Sequence, residues 1–160
     1  MTSKKKWLST EEALLKMQQY CVYQDRCHQE VRSKLLDLGV YGDRLEEIIA
    51  RLIAENFLNE ERFARSFARG KFRMKQWGRL RIVQELKKKD VPEYCRRKAL
   101  EEISEEDYVA VLKEILKKKA GDFGPATDFT TRQKITRYAL SRGFEFEIIV
   151  RAMNEIFKTD

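Results

Sequence analysis

The sequence has few of the residues that most often carry catalytic and metal-binding chemistry. Its 160 residues include one histidine, three cysteines, two prolines and seven glycines. A single histidine, His28, cannot supply a histidine-paired nucleophile or a two-histidine metal site. The three cysteines lack the spacing of a zinc site, and the glycines are too scattered to form a phosphate-binding loop. We therefore predict a protein that is not an enzyme and that holds no cofactor and no metal.

Long apolar runs are also missing. No stretch approaches the roughly 18 apolar residues that span a bilayer, and residues 1–6 are polar and charged, unlike a secretory leader. An odd number of cysteines in such a chain indicates reduced thiols. We expect a cytoplasmic monomer with no membrane association.

Apolar residues recur at spacings of three and four along almost the whole chain, which is the pattern of amphipathic helices. Comparable strict alternation does not occur, so the sequence predicts an all-α fold. Ser9 and Asn59 each precede two acidic residues and Ser104 precedes three, an arrangement that favours helix starts. We expect helices near residues 10–22, 59–76 and 105–119, and a loop over 121–128.

A repeat becomes visible when Gly39, Asp90 and Gly143 are taken as equivalent turn positions. Six apolar positions then align in three copies on both sides of the turn: Val31/Ile82/Ile135, Leu35/Leu86/Ala139, Val40/Val91/Phe144, Ile48/Ala99/Ala152, Ile49/Leu100/Met153 and Leu52/Ile103/Ile156. Such a repeat predicts three tandem three-helix units in an elongated, curved array. We assign a flexible basic N-terminal arm to residues 1–8 and the three units to residues 9–57, 58–103 and 104–160.

The positive charge is concentrated in one part of the sequence. The formal net charge is +7, and residues 62–98 contain 14 basic and 3 acidic side chains, a net charge of +11. The segments before and after carry −2 each. This asymmetry indicates a surface for an anionic partner.

Arginines within this basic segment share one helix face. Arg62, Arg65, Arg69 and Arg73 are spaced 3, 4 and 4 apart, which places them within about 80° around a helix. Guanidinium groups in a row suit phosphate or carboxylate partners. The predicted binding residues are Arg62, Arg65, Arg69, Lys71, Arg73, Lys75, Arg79, Arg81, Lys87, Lys88 and Lys89.

Two structural alternatives apply to the same helix. The basic row could be a solvated face with ion pairs, but three local acids are too few to pair fourteen cations. The apolar stripe Phe63, Phe67, Met74 and Trp77 could stack on bases, but its helical spacing favours core packing. Trp77, followed by Gly78, is the exception because it is expected at a turn beside the arginines.

The central segment resembles the RecX family of bacterial recombination regulators. The motifs are Leu58–Arg65, which reads LNEERFAR, and Lys75–Ile82 with Glu85–Lys89, which read KQWGRLRI and ELKKK. Weaker similarity lies at Gln29–Leu35 and at Arg142–Phe144. Asn59 stands where the family often has Asp, and Asp90 replaces the usual turn glycine, at a cost that Asp tolerates better than most residues.

The resemblance implies a modulator that binds in the groove of the RecA–DNA filament and inhibits strand exchange, ATP hydrolysis and co-protease activity, in DNA repair by homologous recombination and in the SOS response. It also implies tandem three-helix repeats, with single- or double-stranded DNA within reach. Two other hypotheses stay open on the sequence. One is a stand-alone helical DNA- or RNA-binding protein that contacts phosphates, and the other is a scaffold for an unrelated acidic protein.

Overall fold

The computed structural model describes residues 8–126 and 128–158, and within these ranges all regular secondary structure is helical. The all-α prediction is therefore confirmed. Lys4, Lys5 and Lys6 of the predicted basic arm lie outside the described residues. The helices are α1 (Thr10–Tyr23), α2 (His28–Asp37), α3 (Gly42–Ala54), α4 (Glu60–Lys75), α5 (Arg79–Lys88), α6 (Glu93–Leu100), α7 (Glu105–Phe123), α8 (Phe129–Ser141) and α9 (Phe146–Ile156).

The first helix of each three-helix group begins at one of the predicted caps. The side-chain oxygen of Ser9 accepts a hydrogen bond from the backbone N–H of Glu12 at 3.1 Å. Asn59 accepts in the same way from Arg62 at 2.9 Å, and Ser104 from Asp107 at 3.1 Å. Each cap satisfies one of the open N–H groups of the first turn, and the acidic residues beside it complement the helix dipole.

The three predicted turn positions have the same backbone conformation. Gly39, Asp90 and Gly143 have φ angles of +80°, +58° and +96°, and each ends the second helix of its group. All three therefore occupy the region that glycine adopts most easily, and Asp90 adopts it as a non-glycine residue. The repeat found in the sequence is a repeat of structure.

The aligned apolar positions form the cores of the three units. Most are fully buried, and only Leu100 and Ile156 are partly exposed. Helix contacts follow the same grouping, because α1–α3, α4–α6 and α7–α9 pack mainly within their own group. We call these groups unit 1, unit 2 and unit 3.

Units 2 and 3 share one hydrophobic core, whereas unit 1 has its own. Two residues cross this division. Cys27, in the turn before α2, is fully buried in the core of units 2 and 3, and Leu58, just before α4, is buried in the core of unit 1. Each of the two cores therefore contains one side chain from the other part of the chain, and these two buried residues help to hold unit 1 against unit 2.

Two local expectations are wrong. Met74 was expected in the core stripe, but 83% of its surface is exposed on the last turn of α4, where it lines a surface groove. The loop predicted over 121–128 begins later, since α7 continues to Phe123 and ends at Gly124, whose φ of +109° allows the chain to turn. Within the described ranges, no helix is long and apolar enough to cross a membrane.

Candidate anion-binding site

The first arginine of the predicted row fastens unit 2 to unit 1. The Nε of Arg62 donates to Asp25 Oδ1 at 2.8 Å, and its Nη atoms donate to the Asn56 side chain, to the Asn56 carbonyl and to the Phe57 carbonyl at 3.1–3.3 Å. Four bonds from one guanidinium leave little of its donor capacity for a ligand. Arg62 is therefore held mainly by its own chain.

Acidic residues at the end of α6 pair with the next two arginines. Arg65 contacts Glu101 and Glu102 at 3.3 Å each, and Arg69 contacts Glu102 at 3.4 Å. For Arg65, partial desolvation lowers the pKa, but the hydrogen bonds to Glu102 and Glu101 outweigh it, so the pKa is raised. These pairs tie α4 to the C-terminal end of α6 on a partly exposed surface, where such pairs contribute modestly to stability.

Arg79, at the start of α5, belongs to a junction with unit 3. Its guanidinium lies 3.8 Å from the centroid of the Tyr108 ring and pairs with Glu105 at 2.5 Å and Glu145 at 3.0 Å. The backbone N–H of Arg79 donates to the Tyr108 hydroxyl, which in turn donates to Glu145. Burial and the bond to Glu145 raise the pKa of Tyr108, so the phenol keeps the proton that it donates to Glu145 even well above neutral pH.

Arg62, Arg65, Arg69 and Arg79 are therefore paired, although the three acids of the basic segment do not pair with them. Their partners come from outside the basic segment, from the α1–α2 turn, the α6–α7 connection, α7 and the start of α9. Such pairs cannot be predicted from the sequence, because residues far apart in the chain come together only when the units pack. Lys88 also pairs, with Glu85 at 3.3 Å on an exposed face.

The remaining predicted cations make no ion pair with any carboxylate in the described part of the chain. They are Lys71, Arg73, Lys75, Arg81, Lys87 and Lys89. Two of them surround Trp77, with Lys71 Nζ 5.1 Å and Arg81 Cζ 4.3 Å from the ring centroid. Phe67 supports the indole at 6.3 Å in an edge-on contact. Arg73 and Lys75 are exposed on the last turn of the same helix. We call Lys71, Arg73, Lys75, Trp77 and Arg81 the Trp77 corner.

A close approach between two glycines fixes the position of this corner. The N–H of Gly78 donates to the Arg142 carbonyl at 2.7 Å, and the N–H of Leu80 donates to the Gly143 carbonyl at 2.9 Å. A Cβ on Gly78 would lie 2.3 Å from the Gly143 carbonyl carbon, so no larger residue fits without backbone movement. Gly143 thus lies at the turn that ends α8, and its backbone also contacts the start of α5.

The three lysines at residues 87–89 form a separate group at the opposite end of α5. They follow Arg81 by six to eight residues, which is about 9–12 Å along the helix axis. The side chain of Gln29 donates to the Lys88 carbonyl and to Asp90 at 3.2 Å each, which attaches this end of α5 to unit 1. Lys87 and Lys89 make no ion pair within the described ranges. The structure therefore divides the predicted band into two groups.

Other cations near the site were not predicted. Lys118, on α7, lines a small surface groove together with Gln76 of the α4–α5 turn. It belongs to the sequence run Lys117–Lys119, which the near-neutral average charge of residues 99–160 conceals. Arg97, on α6, is exposed in a groove with Lys87. A shorter charge window along the sequence would have found the lysine run.

The chemistry that this surface offers is anion binding. Arginine and lysine held at an aromatic ring can contact phosphate or carboxylate groups while the ring limits their motion. Among the described residues, no group of three His, Cys, Asp or Glu side chains could hold a metal ion. The three cysteines are free and buried, and burial raises the pKa of each thiol, to about 11 for Cys27.

Fold and site together define a class of protein, an all-helical repeat protein with a basic surface on its middle unit. The family description "RecX, second three-helix domain" matches residues 59–100, and "RecX, third three-helix domain" matches residues 105–153. The chain belongs to the RecX family, whose curated members are named as regulatory proteins.

Similar curated proteins cover most of the chain. The Regulatory protein RecX of Prosthecochloris aestuarii is 29% identical over 147 residues, 92% of this chain and 95% of that protein. The Regulatory protein RecX of Pelodictyon phaeoclathratiforme is 31% identical over 124 residues, 78% of this chain and 76% of that protein. The crystal structure of RecX from Lactobacillus salivarius matches with a TM-score of 0.83 and 26% identity, covering 92% of this chain and 96% of that one.

Proposed function

We propose that this protein is a non-catalytic regulator that binds the RecA–DNA filament through the basic surface of unit 2 and inhibits strand exchange, ATP hydrolysis and co-protease activity. The observation that carries the proposal is the Trp77 corner, whose cations make no ion pair with the described carboxylates, in a chain of the RecX family. The proposed partner is found in the cytoplasm, where we expect the protein to act as a monomer.

The corner suits an anionic polymer better than the paired arginines do. Lys71 and Arg81 are already positioned against Trp77, so less side-chain freedom is lost when they contact an anion. Arg65 and Arg69 would have to leave Glu101 and Glu102 first. We therefore assign anion contact to the corner and to Lys87 and Lys89, and assign Arg62, Arg65, Arg69 and Arg79 to holding the units in place.

A mechanism follows from occupancy of the filament surface. A series of three packed units that contacts phosphates and adjacent recombinase subunits would occupy space that an incoming duplex needs. It would also resist the movements between subunits that accompany ATP hydrolysis. No chemical step by this protein is required, in agreement with a family of regulators.

The decisive experiment measures RecA ATPase on single-stranded DNA with increasing amounts of this protein. The double variant Arg73→Glu/Lys75→Glu reverses two exposed cations of the corner that make no ion pair within the described chain. We expect it to require roughly tenfold more protein for half inhibition, because each lost phosphate contact weakens binding. Thermal unfolding should change little, since neither side chain is buried.

The control reverses the same number of charges elsewhere. Lys16→Glu/Lys34→Glu changes two exposed lysines of unit 1 and lowers the net charge by the same amount. We expect it to inhibit like the parent protein. Equal loss of inhibition in both double variants would show that only total charge matters, and no inhibition by the parent at stoichiometric amounts would exclude the proposal.

A stand-alone nucleic-acid-binding protein is the second candidate, because the corner joins cations to a partly exposed indole, as many single-strand-binding surfaces do. If six or so phosphates are contacted, affinity for bare single-stranded DNA should fall with a log–log salt slope near −4. Tight, salt-sensitive binding to bare DNA without preference for filaments would favour this candidate.

A further inference from the structure

A groove between α8 and α9 of unit 3 is apolar and separate from the basic surface of unit 2. Val150 and Met153 line it from α9. Two phenylalanines also line it, Phe129 with 73% and Phe146 with 58% of its surface exposed. Exposed aromatic side chains beside an apolar groove are characteristic of interaction sites.

The equivalent place in unit 1 is closed by an ion pair. By the repeat register, Thr136 and Val150 of unit 3 correspond to Arg32 and Glu46 of unit 1. The Arg32 Nη atoms donate to both carboxylate oxygens of Glu46 at 2.6 and 3.0 Å, which covers the gap between α2 and α3. The same fold thus gives a polar, bridged groove in unit 1 and an open, apolar groove in unit 3.

Unit 2 shows a third arrangement at this place. Val83 and Arg97 occupy the corresponding positions, and Lys87, Glu93 and Arg96 also line the groove there. In the same register Glu93 corresponds to Phe146, so charged side chains line the groove of unit 2 where unit 3 has an aromatic ring. Since the backbone repeat is shared, the apolar surface of unit 3 comes from its own side chains and is not a consequence of the fold.

The rim of the unit 3 groove is positively charged. Arg132 and Arg137 line it, and no carboxylate does. Arg132 donates to the carbonyls of Ala126 and Phe157, which are neutral acceptors, and it makes no ion pair with the carboxylates that the structure describes. Arg137 is exposed and forms no ion pair with the described acids. Helix α8 carries three basic residues and no acidic residue.

We propose that the α8–α9 groove is a docking site for an acidic segment of a partner protein that presents spaced large apolar side chains. Those side chains would pack on Val150 and Met153 between Phe129 and Phe146. Carboxylates beside them would pair with Arg132 and Arg137. A groove between two packed helices suits an amphipathic helix with apolar anchors three and four residues apart. This site is independent of the anion-binding corner and of the proposed function.

The test uses the full chain and a designed, fluorescently labelled helical peptide with Leu at i, i+4, i+7 and i+11 and Glu at most other positions. Two matched peptides replace either every Leu by Ser or every Glu by Lys. We expect the first peptide to bind in an anisotropy titration and to shift the NMR signals of the Val150 and Met153 methyl groups. Each matched peptide should bind at least about tenfold more weakly.

Val150→Glu tests the groove with little risk to folding, because Glu46 occupies the equivalent position in unit 1. We expect a loss of at least about tenfold in affinity for the peptide. Arg137→Glu should also weaken binding. Tyr94→Ser, which removes an exposed aromatic ring of α6, is the matched control and should have no effect.

Several results would overturn the proposal. They are no peptide binding at about 1 mM protein, equal binding of the lysine peptide, or equal binding by Val150→Glu. Concentration-dependent self-association of the parent that Val150→Glu abolishes would assign the groove to a second copy of the chain instead. Binding to phosphatidylglycerol vesicles that Val150→Glu abolishes would assign it to a membrane surface.

Discussion

At the residue scale, Cys27 links burial to a pH dependence of stability. The side chain is fully buried in the core shared by units 2 and 3, and burial raises the pKa of its thiol to about 11. In the unfolded chain the thiol ionises near its ordinary value of 9.0. Between these two pH values the unfolded state loses the proton and the folded state keeps it, so the stability present below pH 9 is lost as pH rises.

We expect the free energy of unfolding to fall by about 1 kcal/mol between pH 9 and 10, since each unit of pKa difference corresponds to about 1.4 kcal/mol. Urea unfolding under reducing conditions at pH 8, 9 and 10 measures this. The Cys27→Ala variant should have a clearly shallower slope, and the slope that remains comes from other groups whose pKa values are raised, among them Cys21, Cys95 and Tyr108. Identical slopes for parent and variant would contradict the assignment to Cys27.

At the scale of the elements, the junction between α5 and α8 depends on two glycines for different reasons. Gly143 has a φ of +96°, and Gly78 has an ordinary conformation but lies against the Gly143 backbone. A methyl group at Gly78 would lie 2.3 Å from backbone atoms that cannot move independently. Glycine is therefore needed at position 78 because a side chain would not fit there, and not because of its backbone angles.

We expect Gly78→Ala to lower the free energy of unfolding by about 2 kcal/mol or more, the cost of overpacking against a rigid neighbour. Gly39→Ala is the matched comparison. It has a φ of +80° but nothing within 4 Å of its added Cβ, so it should cost only about 1 kcal/mol. Urea unfolding of both variants measures the difference, and equal costs would show that the Gly78–Gly143 approach relaxes easily.

The same elements show what the sequence can predict. Caps and turns depend on neighbours in sequence, so Ser9, Asn59 and Ser104 and the three turn positions were predicted correctly. The ion pairs of Arg62 and Arg79 were not predicted. Their partners Asp25 and Glu145 lie 37 and 66 residues away in the sequence and come into contact with them only when the units pack. The basic segment was visible in the sequence, but its division into paired and unpaired cations required the fold.

At the scale of the whole molecule, the three units differ in how strongly they are joined. Units 2 and 3 share a core, the Gly78–Gly143 approach and the network around Tyr108. Unit 1 has a smaller core of its own and is joined mainly through Cys27, Leu58, the Arg62 hydrogen bonds and the contact of His28 with Glu60. Repeat proteins with unequal junctions open at the weaker one first.

We therefore expect native-state hydrogen exchange to separate unit 1 from the rest. In low urea, the amides of α1–α3 should exchange through an opening of lower free energy than those of α4–α9, which should exchange together. Arg62→Ala, which removes the four hydrogen bonds from α4 to Asp25, Asn56 and Phe57, should lower the opening free energy of unit 1 by about 1–2 kcal/mol. It should leave units 2 and 3 nearly unchanged, because their shared core contains none of these groups.

Lys34→Ala is the control, since it removes an exposed cation of unit 1 that does not reach unit 2. It should change neither the opening free energy of unit 1 nor that of units 2 and 3. If all nine helices described exchanged with a single free energy in the parent protein, the units would form one cooperative structure, and unit 1 could not move independently. The separate opening that we expect would instead let unit 1 change its position relative to unit 2, while the geometry of the Trp77 corner stays fixed by the junction to unit 3.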